Sequence, residues 1–319
     1  AKWVLLFMLP WCLCGASPHV HVTANATADA YGWKRATRFM MPCKLQTKNP
    51  VDSDRSMDAA LLEFVVDIGS THTVINWKEA SKLAIAKDAE VSLDPAEVQW
   101  VRAPIIFTPV GGLIFDAIVH VPWAVPPDHV PQSGPLNEPV LGIDVLRRFD
   151  WCMSATDFWM VSSVHQMAVE VDGTASLDPC RVVAARPPDG LPLLRLPTQE
   201  DPTADPLVRV TVQVRVGAKE WAPHLFSLCS GSDLTAFWAE DSLYVADETG
   251  AYTETVSTGM DEMAVKGFPC NIAIGPEVVT ARCARFLEEG EDRCLGRDVL
   301  SHFILQHRVG FGLEVYRGE

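Results

Sequence analysis

The 319 residues contain no run of lysine and arginine, and the formal net charge is −15. Proteins that bind the phosphate backbone carry basic patches, so we do not expect a nucleic-acid partner. The chain is not low in apolar residues either: they make up 48% of it, which excludes a disordered chain. The length allows two domains of ordinary size.

Close cysteine pairs of the Cys-x-x-Cys type are also lacking among the seven cysteines beyond residue 16, so we expect neither zinc nor any other cofactor. In an exported protein, an odd number of cysteines leaves at least one thiol unpaired or bonded between chains. The pair His19 and His21 could touch a metal, but we expect a solvated N-terminal tail there. These seven cysteines are Cys43, Cys152, Cys180, Cys229, Cys270, Cys283 and Cys294.

The one apolar run near the start, "AKWVLLFMLPWCLCGAS", is too short and proline-interrupted for a stable membrane span. A lysine, an apolar stretch and then small residues are typical of a signal peptide, here 1–16, with cleavage after Ala16. The alternative is a buried N-terminal strand. A signal peptide predicts a secreted protein, or one in the lumen of the endomembrane system or an organelle. The following segment, 17–32, contains an N-glycosylation sequon at Asn25.

Helical periodicity is scarce, and Lys78–Lys87 is the only convincing short helix. Two longer stretches have the pattern of β-hairpins. One turns near Gly111 and Gly112, and the other turns at Gly275 and Pro276. The sequence therefore predicts an all-β fold.

Two motifs each occur twice, in the same order and at similar intervals, which indicates an internal duplication. We expect lobe 1 at 33–165, a proline-rich linker at 166–205 that cannot hold a helix or a central strand, and lobe 2 at 206–319. The paired motifs are "FVVDIGSTHTV" (64–74) with "FSLCSGSDLTA" (226–236), and "VLGIDVLRRF" (140–149) with "CLGRDVLSHF" (294–303).

An apolar strand ending in Asp-x-Gly-Ser, then a glycine-bearing hairpin and an apolar-apolar-Gly-x-Asp block, resembles the aspartic protease superfamily. The "LGIDVL" and "LGRDVL" blocks are most similar to its retropepsin-like branch, and the tandem arrangement resembles the pepsin-like one. The resemblance covers most of 33–319, apart from the linker and an insertion around 47–57. It implies a bilobal all-β fold, with two β-barrel-like lobes related by a pseudo-twofold axis.

The resemblance implies a pair of catalytic aspartates, one from each lobe. Two carboxylates that close cannot both ionise, so they share one proton. One then acts as general base on a water while the protonated one polarises the scissile carbonyl. Carried over to this chain, Asp67 is the catalytic aspartate of lobe 1, and Gly69 and Ser70 complete its turn. The blocks behind the turns supply structural residues: Gly142, Asp144, Gly296 and Asp298.

The second site departs from the family pattern, because Cys229 stands where the second aspartate is expected. A thiol has a much higher pKa than a carboxyl and cannot share a proton in the same way. Asp233 lies four positions further along and is no simple substitute. Cys229 is either a small buried residue in place of a lost acid or a nucleophile with His224 as its base. The rest of this degenerate turn is Ser230, Gly231 and Ser232.

Three further positions complete the comparison with the family. The hydroxyl that usually follows the aspartate and braces the opposite loop is replaced by Ile68 in lobe 1. The flap hairpin offers no tyrosine, and its candidates are Gly111 and Gly112, as in retropepsin-like flaps. His72 is interpreted as a loop residue rather than as a catalytic base.

These features predict a degenerate aspartic-protease homologue that acts as a binding or structural subunit. Its expected partner is a peptide or protein in the cleft between the lobes, within a possible homodimer or larger complex. The alternative is an active endopeptidase, through homodimerisation of Asp67-bearing lobes or an unforeseen second acid. A third hypothesis is a carrier of small apolar ligands.

Overall fold

The computed structural model describes residues 19–28, 34–47, 60–76, 80, 83, 99–109, 113–124, 138–162, 191–197, 206–238, 252–257, 262–287 and 292–318. The predicted signal peptide, Gly111, Gly112 and nearly all of Lys78–Lys87 lie outside these residues. Within them, no helix is long and apolar enough to cross a membrane.

The described residues form strands almost throughout, with two one-turn helices that each begin after a glycine. In chain order the elements are β1 (His19–Thr23), β2 (Ala26–Ala28), β3 (Lys34–Ala36), β4 (Met40–Thr47), β5 (Ala60–Val66), β6 (Gln99–Pro109), β7 (Phe115–Ala124), β8 (Val140–Leu141), α1 (Ile143–Leu146), β9 (Asp150–Met153), β10 (Asp157–Val161), β11 (Leu194–Leu196), β12 (Arg209–Arg215), β13 (Ala222–Leu228), β14 (Thr235–Trp238), β15 (Tyr252–Ser257), β16 (Glu262–Ile274), β17 (Glu277–Leu287), β18 (Cys294–Leu295), α2 (Arg297–Leu300), β19 (Phe303–Arg308) and β20 (Gly312–Arg317).

Each lobe has its own sheet, and the two sheets are built alike. In lobe 1 the strand order is β7-β6-β4-β5-β8, and in lobe 2 it is β12-β13-β18-β14-β17-β16-β15, with β12 also pairing with β16. Apolar and polar residues alternate along these strands, so one face of each sheet is buried. In β12, for example, Val210, Val212 and Val214 are buried while Thr211 and Gln213 are exposed.

Both hairpins predicted from the sequence are present. β16 and β17 turn at Gly275 and Pro276, and Gly275 has a positive φ of 58°. A side chain would be strained in that conformation, so glycine suits the turn. β6 and β7 also pair along their length, although the tip of that hairpin lies outside the described residues.

A third sheet joins the two lobes. Its order is β1-β10-β9-β19-β20-β11, so strands from the ends of both repeats lie side by side. β9 pairs with β19 through Met153 opposite Leu305 and Trp151 opposite His307. β11 comes from the predicted linker and is an edge strand, the position that a proline-rich segment can occupy. The domain limits themselves stay a prediction.

The prediction of a solvated tail at His19 and His21 is wrong, because both residues belong to β1, which pairs with β10. The alternation in "HVHVT" buries Val20 and Val22 on one face. On the other face the His21 ring stacks on Trp159, with ring centroids 3.6 Å apart. The alternating valines indicate a strand. The sequence reasoning predicted a tail instead because these residues lie close to the predicted cleavage site.

A buried arginine provides a second link between the lobes. Arg297 of α2 is fully buried, and its Nη1 and Nη2 donate to the carbonyl oxygens of Ser154 and Ala155 in lobe 1, at 3.1 and 2.6 Å. Its guanidinium also lies 4.4 Å from the centroid of the Phe39 ring. The matching position in the first "LGxDVL" block is Ile143. The arginine therefore adds a polar contact from lobe 2 to lobe 1. Ile143, its counterpart in the first repeat, has no polar group with which to make the equivalent contact.

We expect Arg297→Met to lower the free energy of unfolding by roughly 2–4 kcal/mol, because two carbonyls lose their donors and a cation–π contact is lost. Chemical denaturation measures this. Arg195→Met is the control: that side chain is 69% exposed and pairs with Glu314 at 3.0 Å, so its loss should cost at most about 1 kcal/mol. Equal losses in the two variants would contradict the assigned role of Arg297.

Candidate active site

The two Gly-Ser turns lie against each other at the junction of the lobes. A Cβ atom added to Gly69 would lie 2.6 Å from Sγ of Cys229, and one added to Gly231 would lie 2.6 Å from Cγ of Asp67. No real Cβ fits at such distances, so both positions require glycine for close approach rather than for an unusual φ. Asp67 and Cys229 are thus brought together from positions 162 residues apart in the sequence.

Equivalent strands deliver the two residues. Asp67 follows β5 and its N–H donates to the carbonyl of Leu141 at 3.0 Å, while Cys229 follows β13 and its N–H donates to the carbonyl of Leu295 at 2.9 Å. In each lobe the acceptor belongs to a two-residue strand that pairs in parallel, β8 with β5 and β18 with β13. The "LG" of each block therefore fixes the end of the strand that carries the site residue.

A threonine-aspartate pair holds each turn from behind. Thr73 Oγ1 donates to Asp144 Oδ1 at 2.8 Å and accepts from the Gly142 N–H at 3.1 Å. Lobe 2 repeats both bonds at the same distances with Thr235, Asp298 and Gly296. Burial raises the pKa of Asp298 to about 7. Asp144 and Asp298 both bond within their own repeat, as a structural role requires.

Asp67 is held by backbone donors from both lobes. Its Oδ1 accepts from the N–H of Gly69 at 2.8 Å and from the N–H of Gly231 at 2.9 Å. Burial raises the pKa of this carboxyl, and outweighs the opposite effects of these N–H groups and of the positive charge on Arg38. Arg38 itself donates to Glu138 at 2.7 Å. The groups with the largest effects on the pKa of Asp67 are backbone N–H donors and Arg38, and none of these is an acid.

Cys229 is a neutral thiol in this setting. Its pKa is raised well above the ordinary value, first by hydrogen bonding with the Cys294 thiol, then by burial and by the negative charges of Asp67 and Asp292. Only a thiolate is a good nucleophile, so these shifts oppose nucleophilic catalysis. His224 lies five residues back along β13, roughly 16 Å away in an extended strand. The structure therefore does not bring the hypothetical base to the thiol.

The brace between the turns is one-sided. Ser230 Oγ accepts from the N–H of Ile68 at 3.0 Å and donates to the carbonyl of Val66 at 2.9 Å, so lobe 2 binds the backbone of lobe 1. Ile68 occupies the corresponding place in lobe 1 with a fully buried apolar side chain. It has no hydroxyl with which to return these bonds. The departure noted at Ile68 thus has a structural consequence, the loss of half of the brace.

The remaining candidates lie around this centre. Ser70 and Ser232 donate to carbonyls two residues further along their own turns, at 2.9 and 2.7 Å. His72 lies in an exposed loop, bonded to Thr71, with its ring edge-on to His120. Within the described part of the chain, no group of three or more His, Cys, Asp or Glu side chains could hold a metal ion. Asn25 is exposed there, and its glycosylation stays a prediction.

Two neighbours of the centre were missed by the sequence reasoning. Arg38 acts on the charge of Asp67 from a position before β4, where no repeated motif marks it. Cys294 raises the pKa of Cys229, and the alignment of the two "LGxDVL" blocks had placed it opposite Val140. A cysteine in place of a valine in one repeat was the available signal.

Comparisons with known proteins support the architecture. No protein-family profile matches the chain, and no curated protein matches it. Among solved structures, the chain is similar to an aspartic proteinase from Irpex lacteus, with a TM-score of 0.50 and 11% sequence identity. The match covers 94% of this chain and 98% of the proteinase. At that identity the likeness shows the fold alone: the chain has a bilobal, all-β, aspartic-protease-like fold.

We expect Ser230→Ala to lower the free energy of unfolding by about 1–3 kcal/mol, because a buried N–H and a buried carbonyl of the opposite lobe lose their partner. Ser232→Ala is a matched control in the same turn, since its hydroxyl bonds only within that turn, and it should cost less than about 1 kcal/mol. Urea denaturation of both variants measures the difference. A larger loss for Ser232→Ala would contradict the role given to Ser230.

Proposed function

We propose that this chain is an aspartic-protease-like protein that binds a peptide or protein segment between its lobes and does not cleave it as a monomer. The observation that carries the proposal is the pairing at the centre. Asp67 is positioned by N–H donors of both turns, and the equivalent residue of lobe 2 is the neutral thiol of Cys229.

The chemistry of peptide hydrolysis explains why this pairing does not suffice. The reaction needs one group to take a proton from water while another donates to the carbonyl oxygen. Asp67 can do either, but not both in one step. The Cys229 thiol is a weak donor with a raised pKa, so it supplies neither an anionic base nor a strong acid. Loss of one member of a cooperating pair typically costs several orders of magnitude in rate.

Peptide binding, unlike hydrolysis, does not require an acid and a base to act together at the site. Asp67 is half-buried at the junction where the two turns meet. Because its pKa is raised, the carboxyl keeps its proton to a higher pH than an exposed aspartate and can donate to a peptide carbonyl in mildly acidic solution. The similar fungal structure is that of a proteinase, whose substrates are proteins. These observations favour a peptide ligand over a small apolar one.

Pairing two copies of Asp67 in a homodimer is the competing hypothesis. It would require the lobe 2 turn to leave, because the N–H of Gly231 already donates to Asp67 and its Cα lies against that carboxylate. Separation would also break the bonds of Ser230 to Val66 and Ile68. The proposal therefore treats the monomer as the binding unit. We also propose that the two lobes arose by gene duplication. We further propose that the N-terminal signal directs the protein to export.

Hydrolysis of a broad peptide library at acid pH tests the catalytic part. Wild type should be as inactive as Asp67→Asn. Cys229→Asp restores the pair, and adding Ile68→Thr also restores the missing hydroxyl, so this double variant should show a bell-shaped pH profile. Cleavage by wild type that Asp67→Asn abolishes, at a rate per molecule independent of concentration, would overturn the proposal. A rate rising with the square of concentration would point to homodimers.

Equilibrium binding to the same library tests the other part, with fluorescence polarisation as the readout. We expect wild type to retain a subset of peptides and Asp67→Asn to weaken them about 10-fold, because a charge-assisted or acid hydrogen bond is lost. Glu63→Gln, an exposed change on the same strand, is the matched control and should leave binding unchanged. Absence of binding to any peptide by folded wild type would refute the binding role.

A further inference from the structure

The thiols of Cys229 and Cys294 are neighbours, although neither is in a disulfide. Both are free cysteines, and the Cys229 thiol donates to the carbonyl oxygen of Ser227, the residue that pairs with Cys294, at 3.8 Å. The parallel pairing of β13 with β18 explains why the two cysteines lie close together. Ser227 in β13 is opposite Cys294 in β18, and Cys229 lies two residues further on, where its N–H bonds to Leu295. Residues two apart in a strand share a face, so both thiols project from the same side of the ladder.

The first repeat shows that this pair is particular to lobe 2. In lobe 1, Val65, Val74 and Val140 form a small apolar cluster behind Asp67. The corresponding residues of lobe 2 are Ser227, Ala236 and Cys294, as the repeated strand pairings show. An ordinary apolar packing site in one lobe is therefore a thiol site in the other. Among the aligned site residues, lobe 2 has a cysteine in place of a lobe 1 residue at one other position. That residue is Cys229, which stands in place of Asp67 beside this thiol site.

The chain contains a precedent for the geometry. Cys270 and Cys283 are joined by a disulfide across β16 and β17, and they are two positions out of register in that ladder. Their Cα atoms are 6.4 Å apart, within the range that a disulfide spans. Cys229 and Cys294 are also offset by two positions, although the β13–β18 ladder is parallel and Cys229 directly follows its last pair.

We propose that Cys229 and Cys294 form a reversible redox pair whose oxidation closes a disulfide at the degenerate catalytic position. The proposal does not rest on the proposed peptide binding. With glutathione disulfide as oxidant, the Cys229 thiolate attacks one sulfur, forms a mixed disulfide and releases one glutathione, which takes up the displaced proton. Cys294 then loses its proton, attacks Cys229 Sγ and releases the second glutathione. Two protein thiols are oxidised and one glutathione disulfide is reduced to two thiols.

The order of attack follows from exposure. Cys229 is half-buried at the junction of the lobes, whereas Cys294 is only 9% exposed, so the oxidant meets Cys229 first. Because only the thiolate attacks, the raised pKa of Cys229 makes the exchange slow at neutral pH and faster as the pH rises. Once oxidised, Cys229 no longer has a thiol proton to donate to the carbonyl of Ser227. The bond would also tie the lobe 2 turn to β18, the strand that positions it.

The test uses the folded full chain equilibrated at a series of ratios of oxidised to reduced glutathione, at mildly alkaline pH. Acid quenching, alkylation, digestion and mass spectrometry then map the thiols. We expect a linked pair of peptides containing Cys229 and Cys294, whose fraction rises with the proportion of oxidised glutathione, with Cys43 still alkylated. Alkylation of both Cys229 and Cys294 at every ratio, or linkage of Cys229 only to another cysteine, would overturn the proposal.

Two variants sharpen this result. Cys294→Val introduces the residue found at Val140 in lobe 1, and it should leave Cys229 alkylated or trapped as a glutathione mixed disulfide. Cys43→Val removes a buried free thiol of lobe 1 and should leave the Cys229–Cys294 linkage at its wild-type level. Loss of the linkage in Cys43→Val, with folding intact, would contradict the pairing. The wild-type map decides the question by itself if a variant fails to fold.

Discussion

The close packing of two turns without side chains is the constraint on which the rest of the structure depends. Gly69 and Gly231 leave room for no Cβ, so the backbone of each turn touches the site residue of the other lobe. That approach brings the N–H of Gly231 to Asp67 and the hydroxyl of Ser230 to Ile68. The parallel strands behind the turns and the shared sheet across the lobes hold the two halves at this separation.

The asymmetry between the lobes gives the centre its character. Lobe 1 keeps a carboxylate with an apolar cluster behind it and a buried isoleucine beside it. Lobe 2 has a thiol in the place of that carboxylate, and it contributes the hydroxyl of Ser230 and Arg297 as buried links to lobe 1. The contacts that position the two turns are therefore present without a pair of acids between them. That pattern suits a protein in which the relative position of the lobes matters for binding.

Most of the features of the fold and the site that could be predicted from the sequence came from the repeated motifs. Glycine at 69 and 231, and the "LGxDVL" blocks, specify local backbone contacts, so the turns and their supporting strands followed from the sequence. Pairing across lobes did not, because it depends on the shared sheet: Arg297 donates to Ser154 and Ala155, which lie 143 and 142 residues earlier in the chain. β1 was missed because five alternating residues next to an apolar run of the sequence are a weak strand signal. Arg38 and Cys294 act through proximity in space, which no spacing in the chain reports.

Titration of the Asp67 carboxyl tests the central claim most directly. Carbon-detected NMR of the wild type, with Asp67→Asn for assignment, follows this one group. A carboxyl that faces a neutral thiol should titrate in a single step, with its pKa above the ordinary value of 3.8 because it is buried. In Cys229→Asp the two acids should titrate as a coupled pair with separated midpoints. Two coupled midpoints in the wild type would reveal a second acid at the centre and contradict the account.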